Sequence, residues 1–268
     1  LTGAPISTIH GIRIATGDAI STYTGDGVSG LYAWGAQLER SSTVCPYIPT
    51  TTSAVYGPRF DHDPVSLACK GLLIEEQRIN LSTYSGALVN NVGWSLAQAT
   101  SVVSGTGPDG NNAYEIADDT ATTNVHGMLN SGGTTGTSAT SVVSGTIYTG
   151  SIFLKKVAGS VDWVQVTLGA SGFGIAQYAN FNIANGTVGN SSGLASGTSP
   201  RIEAFKNGWY RCSISVQATT TITTSFSTAI YSTNNTNPTS RALTYNGNPA
   251  NKFLASLCQF EAGSFPAS

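Results

Sequence analysis

Apolar positions along this chain recur mostly in steps of two. Ile147 to Val157, Asp162 to Leu168, Tyr178 to Ile183, Trp209 to Ala218, Thr223 to Tyr231 and Phe253 to Phe260 are short runs rich in β-branched and aromatic residues. Several alternate apolar with polar positions, the period of a half-buried strand. Turn-forming stretches stand between them: Thr106-Gly107-Pro108-Asp109-Gly110, Ser131-Gly132-Gly133, Asn190-Ser191-Ser192-Gly193, Asn207-Gly208 and Asn246-Gly247-Asn248-Pro249,. Many short strands at this spacing predict an all-β fold, an antiparallel β-sandwich of jelly-roll type. Ser66 to Asn80, around Leu72-Leu73-Ile74-Glu75-Glu76-Gln77, reads equally as helix or as a strand or extended linker, so helix content should be very low,.

Composition narrows the partners. Only 10% of the 268 residues are charged, with 12 Lys and Arg against 14 Asp and Glu and a net charge of −2, where a soluble domain ordinarily carries roughly 25%. There is no basic footprint for nucleic acid and no polybasic run for an anionic membrane. No apolar run reaches the ~18 residues of a membrane span, so no membrane insertion is expected. The opening Leu1-Thr2-Gly3-Ala4-Pro5 lacks a signal-peptide pattern and reads as the start of a fragment of something longer,. Polarity comes from Ser, Thr and Asn beside 31 glycines, while a 40% hydrophobic fraction suffices for a core,. The four cysteines, Cys45, Cys69, Cys212 and Cys258, fit no zinc spacing and read as free core thiols, Cys212 and Cys258 being candidate neighbours in two predicted strands,.

The chain also repeats itself. Slid along itself without a gap, Thr22-Tyr23-x-Gly25 falls on Thr244-Tyr245-x-Gly247, Ala33 on Ala255, Gln37 on Gln259, Glu39 on Glu261 and Ser42 on Ser264. Leu31 meets Phe253 and Leu38 meets Phe260, so the apolar phase is kept as well,. Residues 1–50 therefore read as the terminal strands of a preceding module, 51–81 as a linker and 82–268 as a complete sandwich.

Gly30-Leu31-Tyr32-Ala33-Trp34-Gly35-Ala36-Gln37-Leu38-Glu39, Pro46-Tyr47-Ile48-Pro49-Thr50, Arg59-Phe60-Asp61-His62-Asp63-Pro64 and Lys70-Gly71-Leu72-Leu73-Ile74-Glu75-Glu76-Gln77-Arg78-Ile79-Asn80-Leu81 together resemble tail-fibre, spike and related appendage proteins of phages and phage-derived particles. Trp94, Ala113 to Asp119, His126-Gly127, Tyr148 to Ile152 and Asn207 to Arg211 also fall where the resembling proteins keep similar residues. The resemblance implies a virion-surface, extracellular part built of carbohydrate-binding jelly rolls. It implies host surface glycan and other virion proteins as partners, and a homo-oligomer, expected to be a trimer.

Candidate chemistry fits binding better than catalysis. No pair of carboxylates sits in a hydrolase motif, and no Gly-x-Ser-x-Gly elbow is present, so the sequence reads as non-enzymatic,. Sugar recognition stacks a pyranose on an aromatic face while neutral side chains bond its hydroxyls. The candidates are Trp163, Trp94 and Tyr178 with Asn180 and Gln165,. No cofactor is required, although Asp109, Asn111 and Asp118 could hold a structural calcium of the kind the resembling jelly rolls carry,. The reading is attachment to cell-surface polysaccharide, with purely structural decoration as its alternative and a polysaccharide depolymerase behind both.

Overall fold

The in–out alternation is realised as two facing sheets. The computed structural model describes residues 24–25, 27–28, 30–34, 60–66, 68–72, 78–130, 140–225 and 227–267. The chain divides into two units, Leu1–Arg59 and Phe60–Ser268. In the first, the described residues form no strand, and Leu31 and Tyr32 are exposed. The rest of the expected N-terminal strands, linker residues 51–59 and 73–77, and Cys45 lie outside the described residues.

The second unit opens on a hairpin, β1 (Phe60–His62) with β2 (Cys69–Leu72). Within the ambiguous stretch from Ser66 to Asn80 the described regular element is thus a strand. Its turn is closed by Asp63, whose Oδ1 accepts from Ser66 N (2.8 Å), Val65 N (3.1 Å) and Ser66 Oγ (3.0 Å), with Lys70 Nζ 3.5 Å from Oδ2. These bonds, the Ser66 amide first, hold the carboxyl down at about 2 against an ordinary 3.8. Because the folded value is the lower one, the turn has its full support above pH ~4 and loses it as pH falls through about 2,. Amide exchange at Val65 and Ser66 should therefore stay slow at pH 4 and accelerate below pH ~2.5, while the rest of the unit is unaffected by this group.

The sandwich follows with β3 (Val89–Asn90), β4 (Gly93–Ala97), β5 (Ala99–Thr106), β6 (Asn112–Asp118), β7 (Gly127–Leu129), β8 (Thr140–Val142), β9 (Ile147–Lys156) and β10 (Trp163–Leu168). After a single turn of helix, α1 (Ala170–Phe173), come β11 (Tyr178–Asn182), β12 (Thr187–Ser192), β13 (Arg201–Ala204), β14 (Trp209–Gln217), β15 (Ile222–Ser225), β16 (Thr228–Ser232) and β17 (Lys252–Ala262). One sheet has the order β12-β11-β10-β16-β7-β4-β3, the other β13-β14-β9-β17-β6-β5, and β15 pairs with β8. All pairings are antiparallel except that of β3 with β4. Val164, Phe181 and Ile230 of the first sheet join Ile152, Ile214 and Phe253 of the second in one buried cluster, the sandwich core,.

Three local readings change. Thr223 to Tyr231 is two strands in different sheets, separated at Ser227, whose N–H and Oγ both bond to Asn130. Asn190 to Ser192, expected as a turn, belongs to the edge strand β12. Cys212 in β14 and Cys258 in β17 flank β9, which places them two strand spacings apart, ~9.5 Å,, too far for a disulfide. Both are buried free thiols, raised by burial, Cys258 to about 11. Cys69 is free and exposed. The Asn207-Gly208 turn forms as expected: both residues take positive φ (60° and 75°), the backbone this hairpin between β13 and β14 requires,. Strand β17 carries a bulge between Ser256 and Gln259, where Leu257 adopts a left-handed φ of 49°,.

Candidate functional site

The alternation along β10 sends Val164, Val166 and Leu168 into the core and Trp163, Gln165 and Thr167 to the outer face of the seven-stranded sheet,. On β11 the outer set is Tyr178, Asn180 and Asn182, and on β16 it includes Tyr231. Register aligns these sets into cross-strand rows: Asn180, Gln165 and Tyr231 form one, and Trp163, Asn182 and Thr187 form the next at the end of the sheet. Four of the five sugar-binding candidates thus share one face.

That face is largely covered. Gln165 is 1% exposed, Asn180 0% and Tyr178 5%, because the segment between β16 and β17 runs over the outer side of the sheet. Gln165 Nε2 donates to Ser240 O (3.0 Å) and to Asn180 Oδ1 (2.8 Å), while its Oε1 accepts from Ala242 N (2.6 Å). Asn180 Nδ2 donates to Pro238 O (2.7 Å) and Asn237 Oδ1 (2.9 Å). Arg241 reaches Thr167 Oγ1 and Leu168 O through Nη2. Burial lowers the pKa of its guanidinium and raises that of the neighbouring Tyr231 phenol. The amides that would read a sugar are therefore occupied in holding this strap down.

Trp163 lies at the end of this face where the cover is incomplete. It is half-buried, and its indole passes close over Gly189, where a Cβ would meet Cζ3 at 2.5 Å and Asn237 Cγ at 2.8 Å. Asn185, Thr187, Asn235 and Asn237 nearby are exposed. Asn235 Oδ1 accepts from Asp162 N (2.7 Å), and Asn237 ties the strap to β12 through Asn190 N and Nδ2. The result is one half-buried indole with Thr187 in its cross-strand row and Asn237 beside it.

Trp94 does not belong to this face. It is fully buried in the core, and its Nε1 donates to Tyr84 O at 3.2 Å. Its position in β4 points inward, so it cannot stack on a sugar. The calcium set also fails to assemble, because Asp109 and Asn111 precede β6 and Asp118 ends it. Seven extended residues span ~20 Å,, beyond any shared ion with ligands at ~2.5 Å. Asp109 instead bonds Asn111 N and Nδ2 in a local turn. Among the described residues no three of His, Cys, Asp and Glu are grouped to hold a metal.

Asp118 has a different task. Its Oδ2 accepts from Tyr245 Oη (2.9 Å), Asn251 Nδ2 (3.0 Å) and Asn248 N (3.4 Å). The Tyr245 ring packs at 4.7 Å on fully buried His126, whose ring nitrogens face Gln98 O (2.6 Å) and Tyr245 O (3.2 Å). Burial raises the Tyr245 phenol well above its usual range, the Asp118 charge adding to the effect. This cluster locks the far end of the strap, and the repeated Tyr-x-Gly motif was its signal in the sequence.

No protein-family profile matches the chain, and no curated protein does. Solved structures overlay on it, two of them as follows. One is an arabinose-bound MgGH51 α-L-arabinofuranosidase (12% identity, TM-score 0.41, 70% of this chain and 27% of that one). The other comprises the CBM22-1 and GH10 modules of Clostridium thermocellum endo-1,4-β-D-xylanase 10B with xylohexaose (11% identity, TM-score 0.35, 69% and 28%). The chain spans little more than a quarter of either. The expectation of a non-enzymatic chain is corrected by this finding: both neighbours are named as carbohydrate-cleaving enzymes, and the exclusion is withdrawn. No helix among the described residues is long and apolar enough to cross a membrane.

Proposed function

We propose that this chain is a sugar-binding β-sandwich module of a phage-like virion appendage, attaching to a host surface polysaccharide at the Trp163 end of the seven-stranded sheet. The observation that carries the reading is the half-buried indole among exposed Asn185, Asn235, Asn237 and Thr187. An indole face suits the C–H side of a sugar ring, and each neutral hydrogen bond to a hydroxyl adds about 0.5–1.5 kcal/mol. Low charge fits the same target, since a polysaccharide of neutral sugars offers nothing for a salt bridge. The virion setting, and a trimeric assembly with other virion proteins, rest on the resemblance of the 70–81 linker and its neighbouring motifs.

Affinity electrophoresis and a glycan array test the proposal. Wild-type protein should be retained by at least one neutral polysaccharide, and Trp163→Ala should lose about tenfold or more in affinity while losing under about 1 kcal/mol of unfolding free energy. Absence of binding across the array would favour the structural-decoration reading. New reducing ends released from a bound polysaccharide would make the module a hydrolase.

A further inference from the structure

The side-chain amides at the Trp163 rim all turn the same atom to the protein. Asn182 Oδ1 accepts from Ala184 N (3.0 Å) and Asn185 N (3.1 Å), Asn235 Oδ1 from Asp162 N (2.7 Å), and Asn237 Oδ1 from Asn190 N (2.8 Å) and Asn180 Nδ2 (2.9 Å). A backbone N–H only donates, so in each amide the engaged atom is the oxygen and the NH2 group is left over. Asn185 Oδ1 is engaged as well, by the Thr187 hydroxyl at 2.7 Å. None of these four Nδ2 atoms, nor the Trp163 Nε1, has a partner among the described residues. Each amide is tied to the rim: Asn182 is the cross-strand partner of Trp163, Asn185 bonds Thr187 of the same row, Asn235 holds the residue before Trp163, and Asn237 meets the indole over Gly189.

The rim therefore presents N–H donors whose own acceptors are engaged. Asn190 is turned the other way, its Nδ2 donating to Asn237 O at 2.9 Å. A sugar hydroxyl brings a hydrogen along with its lone pairs, and the rim's side chains keep few acceptors for that hydrogen. A carboxylate would suit the donors, but Asp162 stands next to Trp163 and its charge is already matched by Lys156, so a second anion there meets a like charge without a cation of its own. An amide carbonyl has two lone pairs and no hydrogen, and so takes two N–H groups with nothing left unpaired. The N–H of the same amide suits Thr187 Oγ1, whose proton is committed to Asn185.

We propose that the Trp163 rim selects an N-acetylated sugar, with the acetamido carbonyl accepting from the outward Asn amides and its methyl group lying on the indole. This deepens the glycan-binding reading and rests on it.

Calorimetric titration of the full chain with chitotetraose and with cellotetraose tests the selection. The two share a β-1,4-linked glucose backbone and differ at C2, which carries an acetamido group in one and a hydroxyl in the other. Chitotetraose should bind about tenfold or more tighter. Asn237→Asp keeps the oxygen that holds Asn190 N and Asn180 Nδ2 and replaces only the NH2 group, so it should cut that preference by about threefold or more with the thermal transition unchanged,. Asn235→Asp, which keeps the bond to Asp162 N, reads the same loss if the first variant misfolds. Equal affinity for the two tetrasaccharides, a preference for cellotetraose, binding to neither, or a preference that both variants leave intact would overturn the inference. The glycan-binding reading itself falls only if the array shows no ligand whose retention depends on Trp163, so the two failures are distinguishable.

Discussion

Trp94→Ala should lower the unfolding free energy by about 3–5 kcal/mol, the usual result of removing a large buried aromatic. The side chain has no exposed surface, joins the central cluster between the sheets, and anchors the chain entry through its bond to Tyr84 O. Nothing small enough to enter the sandwich would refill the volume, so transfer and cavity terms add. Urea titration measures the loss, and Trp94→Phe should recover part of it. Trp163→Ala, at a half-buried rim, should cost under about 1 kcal/mol in the same assay. A loss below 1 kcal/mol for Trp94→Ala would contradict its core position.

Gln165→Leu should destabilise by about 2–4 kcal/mol, and selectively at the strap. The substitution keeps the volume but removes three bonds at once, one buried and two part-buried, leaving Ala242 N, Ser240 O and Asn180 Oδ1 short of a partner. Orphaned buried groups cost about 1–3 kcal/mol each, with incomplete additivity because the strap can relax into water. Amide exchange at Ala242 should accelerate by about a hundredfold or more, while the amides of β9 and β14 follow only the global change. If Ala242 and β9 accelerate equally, the strap is not a separate layer.

How much of this was readable in the sequence follows from what a period of two can say. It identifies which residues of one strand share a face, so Trp163 with Gln165 and Tyr178 with Asn180 were legible as pairs, as was the β-sandwich, while the register that joins the pairs was not. It does not say which face is the core, and so Trp94 stood among the sugar-binding candidates although it is fully buried. Nor does it reveal a cover supplied by a distant segment: Ser240 and Ala242 lie some 75 residues from Gln165. Edge strand β12 was missed because one side meets solvent and its Asn, Ser and Gly residues leave no apolar trace. Asp109, Asn111 and Asp118 are close in sequence but separated by the length of an extended strand. The Tyr245, His126 and Asp118 cluster was visible only as motifs without a task.

In the proposed function sugar binds at the Trp163 rim while the strap covers Gln165 and Asn180. Nuclear magnetic resonance of the full chain, titrated with an oligosaccharide of the polysaccharide that binds best on the array, tests it most directly. The Trp163 indole N–H and the side-chain amides of Asn235 and Asn237 should shift progressively, with Gln165 and Asn180 unmoved. Saturable shifts centred on Gln165, Asn180 and Tyr178 with Trp163 unchanged, or no saturable shift at any of them, would contradict it.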